Sequence, residues 1–194
     1  MRQIEIVSTT GSELITTSDV KDYVRIDTTA DDTLIDRMIV QARIWCENYI
    51  SRDIVAKQRK YYMDKAEGFI QIPFAPVATI TSVTVQGQTA EYQEKGLNKE
   101  QIILTSGVNE VLSGSNTPFA KEVLITYTTA GLSDDLIKQA LLQMVSTYYD
   151  NRADFVEGGR ILSEIPTNVK SILSSHLKFI EQFNSKNYAD TFLP

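Results

Sequence analysis

The sequence has one cysteine, Cys46, and one histidine, His176, in 194 residues. A lone cysteine closes no intramolecular disulfide, so packing must supply stability, and synthesis in the cytosol is the simpler expectation. A lone histidine means that any imidazole base or triad has to be built on residue 176. No apolar run approaches the roughly 18 residues needed to cross a bilayer, and MRQIEIVSTTGSELI has no long apolar stretch after its arginine. Neither a membrane span nor a cleaved secretory signal is expected. Basic runs are missing too: only Lys57, Arg59 and Lys60 gather on one strand, where they read as edge protection. The net charge of −6 opposes tight binding to a phosphate backbone, which needs a basic patch to release counterions. Gly158 and Gly159 lack the preceding strand and the GxxxxGK[ST] spacing of a phosphate cradle. There is no internal repeat and no low-complexity segment.

What is present is periodic. Ile15 to Asp27 reads as a short helix capped by Thr16, Thr17 or Ser18, with Asp19 and Asp22 near its positive end. A stronger stripe runs through Leu34, Ile35, Met38, Ile39, Ala42, Trp45, Cys46, Tyr49 and Ile50, preceded by Asp31 and Asp32 and closed by Arg52. From Ala56 the period shortens. Residues 59–63, 69–72, 80–85, 101–104 and 123–127 read as strands of a mostly antiparallel sheet, with 106–118 as a long turn. Helical spacing returns from Leu136 to Tyr149 behind a Ser133–Asp135 cap. It resumes after Pro166 through Val169, Ile172, Leu173, His176, Leu177, Ile180 and Phe183.

These elements predict an α+β chain that is mainly an α-helical bundle of about four helices, with a small, mostly antiparallel sheet inserted between the second and third. The expected divisions are 1–54 and 132–183 for the helical halves, 55–131 for the β-rich insertion and 184–194 for a flexible tail.

Little in this pattern is catalytic. His176 and Cys46 both lie on apolar stripes, where such residues are packed or at the rim. Asp31, Asp32 and Asp36 could hold a hard cation for a metal-assisted hydrolase, but they suit compensation of a helix N-terminus better. A nucleic-acid module built on the third and fourth helices is the other rival, and the 153–165 connection is too long for its turn. No catalytic residue, cofactor or metal site is expected.

Four stretches carry a resemblance: LITTSDVKDYVRID (14–27), DDTLIDRMIVQARIWCENYISR (31–52), LIKQALLQMVSTYYDNR (136–152) and EIPTNVKSIL (164–173). Together with strands ending in ITYTTAG, their order resembles the head-tail connector (adaptor, head-completion) family of tailed bacteriophages, in its longer form with a β-rich insertion. The resemblance implies a non-enzymatic virion protein made in the host bacterial cytoplasm. It implies a ring, dodecameric in the virion though compatible with a monomer in isolation, below the portal protein and above a tail-side connector or stopper. DNA passes through such a ring without sequence-specific binding. Candidate portal or neighbour contacts are then Tyr188, Phe192, Leu193 and Pro194. The candidate inter-subunit loop comprises Asn151, Arg152, Phe155, Gly158, Gly159 and Arg160.

Overall fold

The computed structural model describes residues 1–111, 117–151 and 168–176. The chain divides into two compact units, Met1–Ser12 with Arg52–Leu132, and Glu13–Ser51 with Ser133–Pro194.

The first unit is built of strands: β1 (Arg2–Thr9), β2 (Lys57–Glu67), β3 (Phe69–Gln71), β4 (Val77–Val85), β5 (Gln88–Thr89), β6 (Tyr92–Lys95), β7 (Gln101–Leu104), β8 (Glu110–Val111) and β9 (Pro118–Thr129). They form a six-stranded sheet in the order β1-β2-β9-β4-β5, with β8 also on β9, and a three-stranded sheet β3-β7-β6; every ladder is antiparallel. Strand alternation creates the core. Tyr61, Met63, Val83, Val123, Ile125 and Tyr127 from the large sheet share one apolar cluster with Ile70, Ile102 and Leu104 from the small one. Tyr127 tolerates full burial because its hydroxyl donates to the Pro73 carbonyl at 2.8 Å, and that burial pushes its phenol well above the ordinary tyrosine range. The β4–β5 hairpin turns through Gln86 (φ 51°) and Gly87 (φ 75°), the two positive values that a two-residue turn needs to match the twist of its strands.

The second unit contains α1 (Thr17–Val24), α2 (Asp32–Ile50) and α3 (Asp135–Asp150), with a further helix, α4, over residues 168–176. Local sequence sets these starts. Thr16 caps α1 in a reciprocal box, its backbone N–H donating to Asp19 at 2.7 Å while the Asp19 N–H donates to the Thr16 hydroxyl at 3.2 Å. That backbone bond from Thr16 is the main cause holding the Asp19 carboxyl below its usual range. Asp134 caps α3 by accepting from the Leu136 N–H at 2.7 Å. Val20 from α1, Ile35, Ile39, Ala42, Cys46 and Ile50 from α2, Ile137, Leu141 and Met144 from α3, and Val169 and Leu173 from α4 are all buried. Fully burying an aliphatic side chain of this size contributes about 1.5–3 kcal/mol, which is what makes the short α1 persist.

The chain is mixed α+β, but it is not mainly a helical bundle. Nine strands in two sheets stand beside four helical segments among the described residues, so the expected predominance of helix is corrected. Two causes account for the difference. Residues 2–9, to which the sequence reading assigned no element, form an edge strand, and β2, β4 and β9 run longer than their apolar segments indicated. The basic residues of β2 are not edge protection either. β2 lies between β1 and β9, and Lys57 and Arg59 are buried. The middle of the expected 106–118 turn, and the last helix outside 168–176, lie outside the described residues.

Candidate functional site

The carboxylates that could have formed a metal centre are spent separately. Asp32 pairs with the Lys21 ammonium at 2.9 Å, Asp31 accepts from the Tyr149 hydroxyl at 2.6 Å, and Asp36 accepts from the Thr17 hydroxyl. Among the described residues no three His, Cys, Asp or Glu side chains converge as metal ligands. Cys46 is buried on α2, and desolvation pushes its thiol up to about 12, the opposite of what a nucleophile requires. His176 has Nε2 3.8 Å from the carboxylate of Asp134, the residue already capping α3.

Two buried ionic clusters were not foreseen. In the sheet unit, Asp53 is fully buried and accepts from Arg59 Nε at 2.7 Å, Arg59 Nη2 at 2.6 Å, Lys57 Nζ at 3.2 Å and the Thr129 hydroxyl at 2.9 Å. The Arg59 guanidinium also lies 3.8 Å from the centre of the Phe74 ring. In the helical unit Arg43 donates through Nε to Glu13 at 2.8 Å and through Nη1 to Glu47 at 2.9 Å. Every member of these clusters is held by neighbours on its own unit. That is the geometry of fastening, with no open position for a reacting group.

What the described surface does offer is apolar groups without cover. On the sheet unit Ile4, Ile6 and Val7 of β1 are exposed, and so are Phe69, Leu97 and Val111; on the helical unit Tyr23, Val40, Ile44 and Leu136 are exposed. Val40 and Ile44 follow one another on the outer side of α2, next to a stacked Trp45–Tyr49 pair with ring centres 5.1 Å apart. Beside β1, Arg2, Ile4, Tyr61, Gln71 and Pro73 line a shallow pocket of about 350 Å³.

Of the residues expected to make contacts, Asn151 is described. It ends α3, its backbone N–H donating to the Thr147 carbonyl at 3.1 Å and its Nδ2 to the same oxygen at 2.9 Å. Tyr149 is directed to Asp31, and burial raises the Tyr148 phenol above its usual range. Arg152, Phe155, Gly158, Gly159 and Arg160, and Tyr188, Phe192, Leu193 and Pro194, lie outside the described residues.

The fold has solved counterparts. A chain from the neck of an empty gene transfer agent particle computed with C6 symmetry superposes with a TM-score of 0.59 at 16% identity, covering 90% of this chain and 94% of that one. A chain from the virion of a native gene transfer agent gives 0.57 at 16% identity, with 89% and 94% covered. One from the neck of the native particle computed with C12 symmetry gives 0.56 at 14%, with 90% and 94% covered. At these identities the likeness establishes the fold. No curated protein matches by sequence. The model of the family described as head completion protein matches residues 13–179, spanning both helical halves and all the strands from β2 onward. The chain therefore belongs to the head completion protein family, whose role is structural and not enzymatic.

Proposed function

We propose that this head-tail adaptor is the subunit of a ring below the portal, which extends the DNA channel and gives the next tail-side connector a platform. The observation that carries the reading is the family match over residues 13–179, which makes the chain a head completion protein. The likeness of its fold to neck chains of particles computed with C6 and C12 symmetry supports it. The surface supports it as well. A closing ring needs two different complementary faces on each copy, and exposed apolar groups occur on unrelated elements, Ile4 and Ile6 on β1 and Val40 and Ile44 on α2. The net charge of −6 suits a channel that repels DNA phosphates and lets the genome slide. In this reading residues 151–160 and 184–194 contribute contacts to neighbouring copies and to the portal. The test is electron microscopy of the protein mixed with its portal. Rings sharing the portal's symmetry are expected, and a two-fold dimer that never assembles further would refute the reading.

A further inference from the structure

The chain passes from one unit to the other three times, at Ser12–Glu13, Ser51–Arg52 and Leu132–Ser133. On the sheet side the three passages are bonded to one another. The Thr10 and Gly11 N–H groups both donate to the Ala56 carbonyl, at 2.8 and 3.1 Å, and the Leu132 N–H donates to the Ile54 carbonyl at 3.0 Å. Two glycines permit this closeness to residues 54–56. A Cβ on Gly11 would lie 2.9 Å from the Ala56 nitrogen, and one on Gly131 would lie 2.8 Å from the Ile54 oxygen. The buried ionic cluster tightens the same place, because it ties Asp53, just past Ser51, to Thr129 at the end of β9, shortly before Ser133.

On the helical side each passage is caught again at once. Glu13 is held by Arg43 Nε at 2.8 Å, and Arg43 is anchored in turn to Glu47 at 2.9 Å. Ser51 closes α2 with its backbone N–H on the Glu47 carbonyl, and Asp134 caps α3 through the Leu136 N–H at 2.7 Å. Little chain is left between the fastenings. Only Ser12 separates Gly11 from Glu13, only Ser133 separates Leu132 from Asp134, and Ser51 abuts Arg52, which bridges to Phe74. The residue left over at every passage is a serine. All three are exposed, and their hydroxyls take no hydrogen bond among the described residues. Small, exposed side chains of this kind let φ and ψ turn without disturbing a core.

We propose that Ser12, Ser51 and Ser133 act together as one triple hinge between the units, and that the Asp53 and Arg43 clusters confine the bending to these residues. Three parallel passages with so little slack forbid the freedom of a linker, so the motion is a restricted swing.

Hydrogen exchange on the full-length protein tests the fastenings. The Gly11 and Leu132 amides should exchange about a hundredfold or more slower than those of Ser12 and Ser133. Comparable rates would mean that the passages are not bound together, and would overturn the proposal. Spin labels read the motion, with the native Cys46 buried and out of reach. The pairs Gln3→Cys with Gln88→Cys in the sheet unit, and Thr33→Cys with Asn48→Cys in the helical unit, are rulers on exposed positions of one unit each. Thr33→Cys with Gln88→Cys spans both units. The spanning pair should give a distance distribution about twice as wide as either ruler, and replacing all three serines with glycine should widen it further while leaving the rulers unchanged. A spanning distribution as narrow as the rulers, or one unmoved by the three glycines, shows that no hinge is there. A spread as broad as that of a flexible linker would overturn the confinement. The wild-type widths and the exchange rates decide the matter even if the glycine variant folds poorly.

Discussion

Replacing Asp53 with asparagine should destabilise the sheet unit by about 3 kcal/mol or more, because removing one member of a buried ionic group leaves the others uncompensated. The structure sets the size of the effect. Asp53 is 0% exposed and receives four bonds, two from Arg59 at 2.6 and 2.7 Å, one from Lys57 at 3.2 Å and one from Thr129 at 2.9 Å. Asparagine keeps the volume but offers one acceptor oxygen, and its amide presents donors to a guanidinium and an ammonium that can only donate. Lys57 and Arg59 are 4% and 4% exposed, so water does little to replace what is lost. Urea denaturation followed by far-ultraviolet circular dichroism measures the loss. With an m value of about 2.5 kcal/mol/M the midpoint should fall by about 1.2 M. Hydrogen exchange should rise first at the amides joining β2 and β9 around Gln58–Thr128. Adding Arg59→Met to Asp53→Asn should recover part of the loss, since the second change removes a stranded charge. A midpoint shift below about 0.4 M, corresponding to less than about 1 kcal/mol, would refute the assignment of the cluster as a dry fastening.

Asp19 predicts a pH dependence. Its folded carboxyl is held below the ordinary value of 3.8, chiefly by the Thr16 backbone bond, so the cap contributes above pH 3.8 and is lost as pH falls through the folded value. Asp19→Asn should flatten that acid limb of the stability curve, and an unchanged limb in thermal melts between pH 5 and about 2.5 would contradict it. Gly131→Ala should cost about 2 kcal/mol or more. Its φ is +76° and an added Cβ would lie 2.8 Å from the Ile54 carbonyl oxygen, whereas Gly87→Ala, at φ +75° with nothing within 4 Å, should cost about 1 kcal/mol. Equal melting temperatures for the two variants would remove the steric half of that argument.

The helices were legible because each carries its stripe and its stop signals in one stretch: Thr16 and Asp19 for α1, the Ile35–Ile50 stripe for α2, Asp134 for α3. The balance between helix and strand was not. β1 covers no core of its own, so Ile4, Ile6 and Val7 carry no signal of burial, and β5, β6 and β8 are short and polar, recruited by longer neighbours. The Asp53 cluster was hidden for another reason. Lys57 and Arg59 look like surface charges until the fold brings Thr129, 76 residues away, to the same carboxylate. Of the candidate contact residues only Asn151 is described, and its local role is to end α3, which a sequence ending YYDN before a glycine-containing stretch does suggest.

The interleaving of the two units has a consequence for synthesis. β1 leaves the ribosome before every other strand of its sheet: its partner β2 begins only at Lys57, and the strand that completes the sheet, β9, ends at Thr129. At about 5–20 residues per second, β1 waits on the order of 2–10 s for β2 and longer for β9. During that interval α1 and α2 emerge with their apolar stripe, while the strand carrying Ile4, Ile6 and Val7 has both edges open. The same unprotected edge is therefore a hazard to the nascent chain. Excising residues 52–132 would make that hazard permanent, because it removes every partner of β1 and leaves the strand behind.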